Sequence, residues 1–189
     1  MSRRKILMVR FSHRFLGGTD MFQRLVLALA ILLAVGSISA IESGDIAPAW
    51  TGSDYSGNLV EFPAGTNGKP TVMVYWATWC PYCKAFMPYL SQIQKDYGAD
   101  KINVLLINHK ERGIGDPTAY VEALDCKAIA IRDGDSIGDT YLVNFIPGLM
   151  IIDSEGVVAW KRASTDLPAG IAVGKLWDQQ VREQLDQML

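Results

Sequence analysis

The sequence predicts an α/β fold: a three-layer sandwich around a mixed central sheet, with an extra β-hairpin at its N-terminal end. Two observations carry this expectation. From residue 71 onward, short apolar β-branched runs alternate with helical segments, the pattern of parallel strands joined by crossover helices. The chain then closes with a hairpin and a final helix, so the late strands run antiparallel to each other.

Each element has its own reason. Glu42 to Pro48 reads as a linker into the domain, and Tyr55 to Phe62 as a hairpin turning at Ser56-Gly57-Asn58. After a turn at Asn67-Gly68-Lys69-Pro70, Thr71-Val72-Met73-Val74-Tyr75-Trp76 is apolar enough for a buried strand. A helix starts at Pro81, whose missing N–H costs nothing in a first turn. It runs to about Tyr97, kinked at Pro88 and capped by Gly98. Residues 102–108 form an apolar strand of the kind covered on both faces. A polar loop, His109 to Gly115, leads to a helix around 117–124, a short strand at 128–131 and a short helix at 136–142. Residues 148–153 and 157–161 pair across the turn Ser154-Glu155-Gly156. Residues 175–188 close the chain as a helix with Leu176, Val181, Leu185 and Met188 near one face.

The 189 residues are 49% hydrophobic, enough for one sizeable core plus an extra segment. The net charge of −2 hides an asymmetry. Of 18 Lys/Arg and 20 Asp/Glu, six and one fall within residues 1–40, leaving 12 and 19 and a net of −7 beyond. An acidic domain has no electrostatic reason to bind nucleic acid. The basic start is followed by the uncharged run Leu25 to Val35 and then by Gly36, Ser37, Ser39 and Ala40. Residues 1–40 therefore read as a signal peptide or an N-terminal membrane anchor, with Met21 an alternative start, and 41–189 as the exported domain. This places the domain in the periplasm or another extracytoplasmic compartment, touching a membrane only through that segment.

Export changes the reading of Cys80 and Cys83. A disulfide across two residues closes a tiny loop and stabilises little, so the pair is poorly placed as a staple. It is well placed as a redox couple. A cysteine at a helix start faces unpaired amides and the positive end of the helix dipole, and both favour the thiolate. Cys80 is thus the expected exposed nucleophile, and Cys83, one turn in, the more buried resolving thiol. A zinc site would need Cys80, Cys83, Cys126 and His109 together, without a second CxxC or an HxxxH grouping. The expectation is no metal and no organic cofactor, only the Cys80–Cys83 disulfide. Cys126 is read as a buried inert thiol, His109 as a solvated loop histidine.

WATWCPYC at 76–83 resembles the active-site signature of thioredoxin-like proteins. Four more features resemble the exported TlpA/ResA-like branch: Ala47-Pro48-Ala49-Trp50 ahead of the Gly57 hairpin, Gly68-Lys69-Pro70, Pro88, and Phe145-Ile146-Pro147 ahead of an apolar strand and Gly156. The similarity covers residues 44–189. It implies a thioredoxin-like sandwich with Cys80 attacking and Cys83 resolving. Pro81 and Tyr82 would tune the reduction potential. Ile146 and a cis Pro147 would form a loop against the disulfide that receives a substrate strand, and Trp79 part of the docking surface. Gly148 departs from the Thr usual there. Val74 stands where classical thioredoxins carry a buried Asp; the TlpA/ResA-like branch often has a Glu shortly after the next strand, so the resemblance implies Glu111, after Ile107-Asn108, as proton acceptor for Cys83, the alternative being a solvated loop acid beside Lys110 and Arg112.

The resemblance implies an exported thiol–disulfide oxidoreductase that reduces partner proteins, as relatives do for apocytochrome c, with a membrane thiol transporter as electron donor. The alternatives are an oxidase or isomerase of the same fold, or a non-catalytic or metal-handling domain. A peroxiredoxin-type peroxidase would carry Thr at 77 and Pro at 73, where this chain has Ala77 and Met73. Copper-delivery relatives use CxxxC, not CxxC.

Overall fold

Side chains alternate along residues 71–76, and that alternation sets the layers. Val72, Val74 and Trp76 enter one core, Met73 and Tyr75 the other, and all five are buried. A computed structural model describes residues 40–163 and 169–189. The signal or anchor segment expected at 1–40 lies outside the described residues except for Ala40.

Seven strands form one sheet. They are β1 (Trp50–Asp54), β2 (Leu59–Phe62), β3 (Thr71–Trp76), β4 (Asn103–Asn108), β5 (Ala128–Arg132), β6 (Gly148–Ile152) and β7 (Val158–Lys161), in the order β2-β1-β5-β4-β3-β6-β7. β3, β4 and β5 are parallel; β6 runs antiparallel to β3, and β7 to β6. The described helices are α1 (Pro81–Tyr97), α2 (Pro117–Glu122), α3 (Asp135–Thr140) and α4 (Val173–Leu185). On one face Phe86, Met87, Leu90 and Ile93 of α1 and Trp177, Val181 and Leu185 of α4 cover the sheet. On the other, Ile137 of α3 and Tyr141 pack on Tyr75, Ile107 and Ile131. The expected three-layer, mixed-sheet architecture is present.

Some expectations need correction. The first strand of the N-terminal hairpin is Trp50–Asp54, so Tyr55 belongs to the turn. Asp54 builds that turn: its carboxylate accepts from the backbones of Ser56 and Asn58. The supposed linker is strapped to β7. Ile46 bridges Val157, Gly44 N donates to Val158 O, and Lys161 Nζ reaches Ile41 O. A short 3-10 turn at Ala64–Thr66 follows a cis Phe62–Pro63 bond, neither of them expected. α2 ends at Glu122, two residues early. Among the described residues no helix is long and apolar enough to cross a membrane.

Candidate active site

Three strand ends meet at the site. β3 leads into Ala77 to Cys80, and β4 ends at Asn108 opposite Trp76, with His109 N donating to Trp76 O at 2.8 Å. β6 begins at Gly148 opposite Tyr75. Ile146-Pro147 lead into β6 just before that pair, and Ile146 packs against both core clusters. The Ile146–Pro147 peptide bond is cis. Gly148 has a steric reason: a Cβ there would lie 2.9 Å from Val143 Cγ1 and 3.2 Å from Tyr75 Cδ2, leaving no room for Thr.

Cys80 and Cys83 form a disulfide. Cys80 is the N-cap of α1, and its Sγ accepts from Cys83 N at 3.1 Å. That is the amide environment that favours a thiolate. The expectation of an exposed Cys80 fails: it is only 2% exposed and Cys83 1%. The capping geometry explains this, because it folds the Cys80 side chain over the first turn and into the core cluster shared with Trp76 and Phe86. Pro81 and Tyr82 between them are exposed, Tyr82 by 50%. Pro88 lies inside α1, where it leaves one helical carbonyl without its donor.

Glu111 reaches back to the loop before the cysteines. Its Oε2 accepts from Thr78 N at 2.8 Å and Asn108 Nδ2 at 3.0 Å; its Oε1 accepts from the Thr78 hydroxyl at 2.6 Å and Arg112 N at 3.1 Å. Burial pushes this carboxyl up, but the Thr78, Asn108 and Arg112 bonds together outweigh it and hold the group below its ordinary range. Gly115 packs against the same threonine, where a Cβ would come within 2.4 Å of Thr78 Oγ1.

Trp79 is half-buried. Its Nε1 donates to Lys110 O at 2.7 Å, and the Arg112 guanidinium sits 3.6 Å from its ring centroid. His109 corrects the sequence reading: it is 1% exposed. Its Nε2 lies 3.4 Å from Val143 O and its Nδ1 3.1 Å from Asp135 Oδ1. Gly138 makes room for the ring, since a Cβ there would fall 2.4 Å from His109 Cε1. The four residues weighed as zinc ligands are not brought together: Cys80 and Cys83 bond each other, His109 packs under α3, and Cys126 is paired with Ser91. Among the described residues no group of three His, Cys, Asp or Glu could hold a metal. Cys126 is half-buried rather than buried, and burial pushes its thiol up.

Residues 43–161 match the AhpC/TSA family. The chain belongs to the AhpC/TSA family. It is 28% identical over 148 residues to the thioredoxin-like protein YneN of Bacillus subtilis, covering 77% of this chain and 80% of that one. It is 27% identical over 147 residues to the thiol-disulfide oxidoreductase ResA of Bacillus cereus, covering 77% and 76%. Among solved structures, a putative thiol:disulfide interchange protein DsbE of Chlorobium tepidum superposes with a TM-score of 0.65 at 20% identity, over 79% of this chain and 99% of that one. The neighbour establishes the thioredoxin-like fold. With the helix-capping cysteine pair and relatives of this kind, the chain is a thiol–disulfide oxidoreductase.

The sequence reading missed Arg162 and Asp135. Arg162 donates to the Pro147 carbonyl, and Asp135 accepts from Lys110 N. In sequence each stands as an ordinary charged residue beside an element boundary, and no local pattern marks it.

Proposed function

We propose that this oxidoreductase reduces disulfides of partner proteins outside the cytoplasm, with Cys80 as the attacking sulfur. The observation that carries the reading is Cys80 at the α1 N-cap, its Sγ accepting the Cys83 amide. In the reduced enzyme that amide and the helix end favour the Cys80 thiolate. The thiolate attacks one sulfur of the partner disulfide, forming a mixed disulfide and releasing a partner thiolate. The Cys83 thiolate then attacks Cys80 Sγ, closing the Cys80–Cys83 disulfide and releasing the second partner thiolate. Two electrons and, after protonation, two protons end on the partner. No cofactor beyond the disulfide is needed.

The basic and apolar segment before residue 41 supports export. In an oxidising compartment a reductant needs a dedicated supply, so a membrane thiol transporter is the proposed electron donor, and cysteines awaiting haem attachment, as in apocytochrome c, the proposed substrates. Ile146 ahead of Pro147 supports the reducing direction by its likeness to reducing thioredoxins. Ala77 and Met73 argue against peroxidase chemistry within the family. Pro81, Tyr82, Trp79 and Ile146 form the proposed approach surface: the first two are exposed and the others half-buried. Glu111 is proposed to anchor the Thr78 corner. To accept the Cys83 proton, as the resemblance implies, it would have to release donors that keep it a weak base.

The decisive experiment is trapping with Cys83→Ala in the compartment where the protein works. A mixed disulfide on Cys80 with a partner cysteine is expected, lost in Cys80→Ser/Cys83→Ala. Insulin reduction by Cys80→Ser at the wild-type rate would remove the assignment of Cys80.

A further inference from the structure

A buried charge stands behind the Phe145–Pro147 loop, whose Ile146 packs against the core cluster that holds Cys80 and Cys83. Arg162 follows β7 and is 7% exposed. Its Nη2 donates to the Pro147 carbonyl, and its backbone N donates to Leu149 O at 2.9 Å. The guanidinium carbon lies 4.5 Å from the Phe145 ring centroid and 4.6 Å from that of Trp177. Trp177 in turn meets Phe86 edge-on, with centroids 5.9 Å apart and planes at 85°. Phe86 lies one turn beyond Cys83 on α1. One guanidinium therefore joins the Phe145–Pro147 loop to α4, and through two rings to the helix that carries the cysteines.

An apolar side chain of similar length would fill the same space. Burial pulls the guanidinium pKa down to about 10, so the group is still cationic at neutral pH. What an apolar residue could not supply is a charge-assisted donor aimed at one carbonyl while lying over two aromatic rings. That carbonyl belongs to the buried Pro147, which follows the half-exposed Phe145 and Ile146 and precedes Gly148, the partner of Tyr75 at the end of β3.

Resting on the proposed attack of Cys80 on partner disulfides, we propose that Arg162 is a positioning residue: it fixes the Phe145–Pro147 segment so that a partner polypeptide can lie along it while its disulfide meets Cys80. A small disulfide reagent approaches the sulfur without spanning this segment, so the two substrate classes should separate when Arg162 changes.

The test compares reduction of insulin with reduction of 5,5′-dithiobis(2-nitrobenzoate) by the reduced enzyme. In Arg162→Met, the ratio of kcat/KM for insulin to the rate constant for the small disulfide should fall about tenfold, equal to ~1.4 kcal/mol. The loss should sit mainly in the insulin KM. Arg162→Lys should recover part of the ratio, because it keeps the charge and a donor. An unchanged ratio in Arg162→Met overturns the proposal, even where both rates fall together. If Arg162→Met does not fold, Phe145→Leu and Arg162→Lys decide: the ratio should fall in each, and a wild-type ratio in both overturns it.

Discussion

Replacing Glu111 by Gln separates anchoring from proton transfer. The carboxylate accepts four hydrogen bonds, two on each oxygen. Gln offers one oxygen. Set at the Oε2 position, that oxygen keeps the Thr78 and Asn108 N–H donors. The amide nitrogen then occupies the Oε1 position. There the Thr78 hydroxyl can rotate to accept from it, but the Arg112 N–H faces a donor. Three bonds survive without charge assistance and one is lost. Charge-assisted bonds contribute about 1.5–3 kcal/mol and neutral ones about 0.5–1.5. The site is partly open to water, which screens the difference. The expected cost is therefore about 1–2 kcal/mol at pH 7.

The pH dependence gives the sign. The native carboxyl titrates below the ordinary value of 4.5. A depressed carboxyl contributes stability that is complete above the unfolded-state pKa and lost as pH falls through the native one. Wild type should thus exceed Glu111→Gln by a constant margin above about pH 5.5, and the margin should close as the carboxyl protonates below about pH 4.5. Urea unfolding of the oxidised proteins at several pH values measures it. No margin at pH 7, or a margin that persists undiminished after protonation, refutes the anchoring argument. In the reduced proteins, a Cys83 alkylation profile that is the same in wild type and in Glu111→Gln eliminates the proton-acceptor role.

Gly138→Ala should destabilise the fold by about 1–3 kcal/mol, because the new Cβ meets the His109 ring; a midpoint of urea unfolding equal to wild type would show that the ring moves freely. Cys126→Ser should change insulin reduction less than about twofold, and the native thiol should alkylate more slowly than the same thiol in urea, since burial disfavours its thiolate. Equal alkylation rates in both states would contradict the half-buried placement.

What is legible in the sequence is local. β3 and β4 announce themselves as nearly uninterrupted apolar runs because both their faces are covered. The start of α1 is written in Cys80-Pro81, an N-cap followed by a residue suited to the first turn. The disulfide and its neighbours therefore lie within one short run of consecutive residues. The supports do not. Thr78 and Glu111 are 33 residues apart, and Pro147 and Arg162 are 15. His109 reads as a loop residue in sequence because its burial depends on α3 and Val143 folding against it. The burial of Cys80 is hidden for the same reason: an N-cap side chain bends over its own helix, and the surrounding core decides how much of it water reaches.

Lys110 shows why those distant supports matter to the chemistry. Its carbonyl accepts from Trp79 Nε1, its N–H donates to Asp135 at 2.6 Å, and its Nζ lies 3.3 Å from Val143 O. It adopts φ +56°, a left-handed conformation that directs these groups to three separate segments. Beside it, His109 approaches the same Val143 carbonyl and the same Asp135 carboxylate. The next residue, Glu111, holds Thr78. So one stretch after β4 grips the cysteine loop on one side and the approach to Pro147 on the other. Thiol exchange needs three sulfurs nearly in line, and this stretch hydrogen-bonds to both sides of the approach. The cysteines supply the reactivity; residues 109–111 tie the loop before them to Asp135 and Val143, and Arg162 is the proposed support on the Pro147 side.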